Sequence, residues 1–143
     1  MSKRIVSAVI VLLMAAAPLV AQESDPPKPG VCAREGAKIA GKEPLVVAKG
    51  VPAPRKVRNV VPVFPEHPAD MASSGMWGGE VLIGADGKVS HVWTIREAQF
   101  TPAFPQGDQA IVNAIRQWEF EPAVVKSEAT PVCMKVTMKV DWK

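Results

Sequence analysis

The sharpest pattern in the chain lies toward its C-terminal end. There Val132, Met134, Val136, Met138, Val140 and Trp142 alternate strictly with Cys133, Lys135, Thr137, Lys139 and Asp141. A period of two puts the first set on one face and the second on the other, which predicts a half-buried strand over 132–142. Met76 to Ile83 is a second strand candidate despite Gly78 and Gly79, and Val89 to Ile95 a third. Asp86-Gly87 between them is hairpin turn chemistry. Leu45-Val46-Val47-Ala48 is a further short strand candidate.

Helical spacing appears once at length. Behind Asp108, a good N-cap, Ile111, Ala114, Ile115 and Trp118 fall on one stripe while Asn113, Arg116 and Gln117 face away. This helix must end before Pro122, because a residue preceding proline avoids the helical region. A short helix is also expected from Pro68 to about Ser74, with Gly75 as its stop, after an extended run closed by Phe64-Pro65. Two prolines and a glycine make Gln99 to Gly107 a loop. The resulting order of elements predicts an α+β fold of two layers, a three-stranded antiparallel sheet with two helices on one face.

Composition narrows the class. The chain has 143 residues, of which 48% are hydrophobic and 22% charged, enough for one folded domain. Its net charge of +3 is spread along the sequence, with only Arg55, Lys56 and Arg58 clustered, too sparse a basic face for nucleic acid. Lys3 and Arg4, the apolar run from Ile5 to Met14 and the small residues from Ala15 to Ala21 have the layout of a secretory signal peptide. Cleavage after Ala21 is expected, followed by a Pro- and Gly-rich leader over 22–54 and the domain proper over 55–143. An uncleaved inner-membrane anchor is the alternative, because the apolar run is close to the shortest membrane-spanning length. Export in turn favours joining Cys32 to Cys133, the two cysteines in the sequence.

Candidate chemistry is sparse. His67 and His91 have no Cys, Asp or Glu at metal-ligand spacing, and the sequence contains no nucleophile elbow, zincin motif or phosphate-binding loop. The expectation is a protein that is not an enzyme, with no catalytic, metal or cofactor-binding residues and no cofactor.

Read together, Pro54-Arg55-Lys56-Val57-Arg58-Asn59-Val60, Pro62-Val63-Phe64-Pro65, Ile83-Gly84-Ala85-Asp86-Gly87-Lys88-Val89 and Asp108-Gln109-Ala110 resemble the TonB C-terminal family. So does the stretch from Ala114 to Ala123, which contains Trp118-Glu119-Phe120-Glu121-Pro122, followed by Pro131-Val132. The likeness runs from Pro54 to Trp142. Its signature residues, Phe64, Pro65, Gly75, Asp86, Gly87, Asp108, Trp118, Phe120 and Pro122, read as structural. Trp118 and Phe120 anchor the helix exit and Pro122 stops it.

The resemblance implies a periplasmic module that binds a short segment of an outer-membrane receptor beside the last strand. Val132, Met134, Lys135, Val136, Thr137, Met138, Lys139 and Val140 form that edge here. An edge strand suits this role because its unpaired main-chain groups accept any extended peptide. Two other readings stay open: a membrane-anchored energy transducer, and a secreted structural protein with a changed partner. The transducers of the family carry a His in a membrane helix, and here no His precedes His67.

Overall fold

A computed structural model describes residues 30–48, 50–67, 69–73 and 75–140. The expected signal peptide, the start of the leader and Trp142 lie outside the described residues. Among the described residues, no helix is long and apolar enough to cross a membrane.

The architecture is mixed α and β. In chain order it comprises α1 (Val31–Ala40), β1 (Leu45–Val46), β2 (Lys56–Arg58), β3 (Ala72–Ser73), β4 (Met76–Ile83) and β5 (Val89–Arg96). It continues with β6 (Phe100–Thr101), α2 (Pro105–Ile115), β7 (Glu119–Phe120), β8 (Ala123–Val125), β9 (Glu128–Thr130) and β10 (Val132–Lys139). The central sheet has four strands in the order β1-β10-β4-β5 rather than the three expected. β4 pairs antiparallel with β10 and with β5, whereas β1 runs parallel to β10.

Alternation along β4 and β10 assigns the two faces. Val81, Ile83, Val132, Val136 and Val140 join Ile111, Ile115, Trp118 and Phe120 in the main core, so α2 covers this side. Leu82 and Cys133 point the other way and meet Cys32 of α1. One helix therefore lies on each face, which corrects the expectation of two helices on one face. Gly79 inside β4 has a packing reason. The Trp77 ring lies so close to Gly79 that a Cβ there would collide with it.

Three local expectations also give way. No helix spans 68–74 among the described residues; Ala72–Ser73 instead pairs antiparallel with Phe100–Thr101. That pairing also gives part of the expected 99–107 loop a strand. The last three residues of that loop belong to α2, whose first turn begins at Pro105, where a missing N–H costs nothing. Asp108 is thus inside the first turn instead of capping it. Its carboxylate accepts a hydrogen bond from the Ala98 N–H at 2.8 Å.

The segment expected as a Pro- and Gly-rich connector holds α1. α1 is amphipathic, but it spans only ten residues and buries just Cys32 and Gly36, neither of which reads as a core position. Gly36 allows a close approach to Pro44, whose Cγ would lie 3.0 Å from a Cβ there, above the Cys133 Sγ. The helix begins at Gly30 over the buried Glu80, whose carboxylate accepts the Cys32 N–H at 2.7 Å. A carboxylate at this end satisfies an orphan donor and complements the helix dipole.

Candidate binding edge

β10 carries the candidate site, and its surroundings define which part of it is available. On one side it pairs with β4 from Val132 opposite Ile83 to Lys139 opposite Met76. On the other, β1 pairs only with Val132 and Cys133. The Leu45 N–H donates to the Pro131 carbonyl at 2.8 Å, and the Val47 N–H donates to the Cys133 carbonyl at 2.9 Å.

These two bonds fix the direction of every main-chain group along the strand. Within a strand the N–H and C=O of one residue point to the same side, and consecutive residues point to opposite sides. Pro131 and Cys133 face β1, so Lys135 and Thr137 also present their N–H and C=O to that side. Among the described residues, no strand or turn hydrogen-bonds to Lys135 or Thr137 there. The open edge is therefore shorter than the expected 132–140 span.

Side chains sort independently of the main chain. Val132, Met134, Val136, Met138 and Val140 look toward the α2 layer, where Val132, Val136 and Val140 are buried. Lys135, Thr137 and Lys139 are exposed on the opposite face, beyond the N-terminus of α1. Cys133 belongs to this polar row but is buried beneath α1 and bridged to Cys32, with the two Cα atoms 5.7 Å apart. The expected disulfide is thus present. A cleft of about 260 Å³ between α1, β1 and β10 reaches both bridged cysteines, with Val47, Glu80, Met134 and Lys135 around it.

The signature residues form a separate corner behind the sheet. Trp118 and Phe120 are buried, and the Trp118 Nε1–H donates to the Val60 carbonyl at 2.8 Å. The Lys56 ammonium lies 3.3 Å from the centre of the Trp118 ring. Burial lowers the Lys56 pKa from its ordinary value, and the electron-rich ring face offsets part of that cost. Phe120 sits in β7 beside β2, not at a helix exit. The helix has already ended at Ile115, so Pro122 follows a strand and does not stop α2.

Other signature positions have defined local roles. Phe64 packs on the core, while Pro65 and Pro122 are exposed. Gly75 passes close to Gln99, where a Cβ would be 3.0 Å from the Gln99 main-chain nitrogen. Asp86 accepts the Lys88 N–H at 3.0 Å, and Gly87 takes a φ of 83° at the hairpin turn. Near this corner Arg55 Nε donates to the Glu121 carboxylate at 3.0 Å. That hydrogen bond and the attached charges raise the Arg55 pKa and lower that of Glu121.

Two features were absent from the sequence reading. One is the place of β1 along the first two residues of the edge, since the pairing of Leu45 with Val132 leaves no local trace in either segment. The other is Glu80, whose position between apolar strand residues was its only signal. No protein-family profile matches the chain, and no curated protein matches it in sequence.

Proposed function

We propose that this protein is an exported, periplasmic interaction module that receives an extended segment of a partner protein beside β10. The resemblance to the TonB C-terminal family supplies the partner class, a segment of an outer-membrane receptor. The observation that carries the reading is the pair of main-chain positions, Lys135 and Thr137, turned toward a side without a strand among the described residues. Strand addition draws its affinity from such groups, while alternate side chains set specificity. The Met134, Val136 and Met138 side offers an apolar neighbour, and the Lys135 side a basic one.

Thr137→Pro tests the reading cleanly, because the Thr137 N–H points away from β4. Proline there removes an edge donor and leaves the β4 ladder intact, and a strand position whose N–H faces away from the ladder tolerates proline. Binding of synthetic receptor segments would be measured for wild type, Thr137→Ser and Thr137→Pro, with folding checked by circular dichroism. Binding by the first two and at least a tenfold loss in the folded Pro variant is expected. Equal binding by all three would place the contact elsewhere, and no binding by wild type would reject the docking reading.

A further inference from the structure

The docking edge has a resident occupant, and the way it is held suggests what controls it. β1 covers Val132 and Cys133 through its parallel pairing, which includes the Leu45 and Val47 N–H donors, and through the partly buried Leu45 and Val47. It follows α1, which rests on the sheet with only Cys32 and Gly36 buried. The apolar cluster beneath α1 consists of Cys32, Leu82 and Cys133, with Trp93 at its margin. Two of those three residues are the bridged cysteines themselves.

Polar contacts add to the attachment of this segment. Glu80 accepts one N–H from α1, and Lys42 pairs with Glu128 at 2.8 Å on an exposed surface. An exposed ion pair adds about 0–1 kcal/mol. The covalent bridge is the attachment of residues 31–47 that a reductant can cut, and it ends on β10 beside the open positions. Cys133 is two residues before Lys135, and both line the cleft that opens onto the disulfide.

The geometry points to the Cys32–Cys133 bridge as a redox latch on the docking edge: while it is closed, β1 confines a partner to the part of β10 beyond Cys133, and its reduction lets a partner strand displace β1 and pair from Val132 onward. This inference rests on the edge-docking reading. The reductant is a dithiol. One of its thiolates attacks a bridge sulfur and displaces the other as a thiolate. Its second thiol then resolves the mixed disulfide. The dithiol leaves as a disulfide, having given two electrons and two protons to Cys32 and Cys133.

The test uses three forms of the protein: oxidised wild type, wild type reduced with dithiothreitol, and oxidised Val47→Pro. The Pro variant deletes the Val47 donor and loosens β1 with the bridge intact. Amide hydrogen exchange is read at Leu45 and Val47 in wild type and at Leu45 in the variant, with Val81 and Val136 as internal references. A labelled synthetic hexapeptide of Glu43–Ala48, the segment containing the resident strand, serves as the binding probe.

Reduction is expected to cost Leu45 and Val47 at least tenfold in protection while Val81 and Val136 keep theirs. The probe is expected to bind the reduced and Val47→Pro forms at least tenfold more tightly than oxidised wild type. Unchanged protection at Leu45 and Val47 would mean that β1 docks without the bridge, and would overturn the latch. Equal loss at all four amides would make the bridge a staple of the whole sheet, also overturning it. Selective loss at Leu45 and Val47 with no probe binding to any form would keep the latch and sink the docking reading instead.

Discussion

The Phe120 N–H donates to the Gly87 carbonyl at 2.8 Å, and a Cβ on Gly87 would overlap the Phe120 carbonyl oxygen. The hairpin turn and the aromatic corner thus lock through main chain alone. Gly87 also has a φ of 83°, which side chains disfavour. Gly41 separates the two effects, since its φ is 70° but nothing lies within 4 Å of a Cβ there. Gly41→Ala is expected to cost about 1 kcal/mol in urea unfolding, from backbone conformation alone. Gly87→Ala is expected to cost at least twice that, and equal losses would show that the close approach relaxes freely.

The β8–β9 hairpin turns through Lys126 and Ser127, with φ of 50° and 64°. Both angles belong to the region where Asn and Gly are the favoured residues of a two-residue hairpin. Lys126→Asn with Ser127→Gly is expected to stabilise the protein by about 1 kcal/mol, after the larger loss of unfolded-chain freedom at glycine is counted. A lower urea midpoint for this double variant would contradict the expectation.

Trp118→Phe retains most of the buried ring but removes the donor to Val60. The lost bond is expected to cost about 1 kcal/mol and to leave the Val60 carbonyl without its indole partner. A double-mutant cycle of Trp118→Leu with Lys56→Met isolates the cation–π contact, for which about 0.5 kcal/mol of coupling is expected. Zero coupling would assign the Lys56 position to its hydrogen bond with Asn59.

Burial raises the Asp108 pKa, and the Ala98 N–H opposes the shift only in part. With the folded-state pKa above the unfolded one, the folded protein holds the extra proton. Stability from this group is fully present below the unfolded pKa and declines as pH rises through the interval up to the folded pKa. Asp108→Asn keeps a carbonyl acceptor for Ala98 without titrating. Measured from pH 3 to pH 6, the stability difference is expected to move in favour of the Asn variant. Movement toward wild type would show that the helix end and the Ala98 bond outweigh burial.

What could be read from the sequence follows from where each signal is stored. Met76–Ile83 and the strand after Asp86-Gly87 were legible because burial on one face and turn chemistry are both local. The buried stripe of Ile111, Ala114 and Ile115 likewise marked α2. Its start was misplaced because Asp108 looks like a cap until Pro105 is recognised as the first helical residue. By contrast, α1 is a ten-residue helix that buries a cysteine and a glycine, so its buried face holds none of the large aliphatic residues that mark a core stripe. The candidate edge was legible as a strand but not in its extent. Which side of Lys135 is open depends on Leu45, and no periodicity connects positions so far apart.

The parallel pairing of Leu45 with Val132 has a consequence during synthesis. The first strand of the sheet to be made adjoins the last, so β1 must wait until nearly all the described chain has been translated before its partner exists. The β4–β5 hairpin can form meanwhile from neighbouring segments. Such long-range pairing is slow, since loop closure must precede the contacts that reward it. The growing chain therefore carries Cys32 as an unpaired thiol until Cys133 arrives, and this edge of the sheet is the last part of the molecule to be completed.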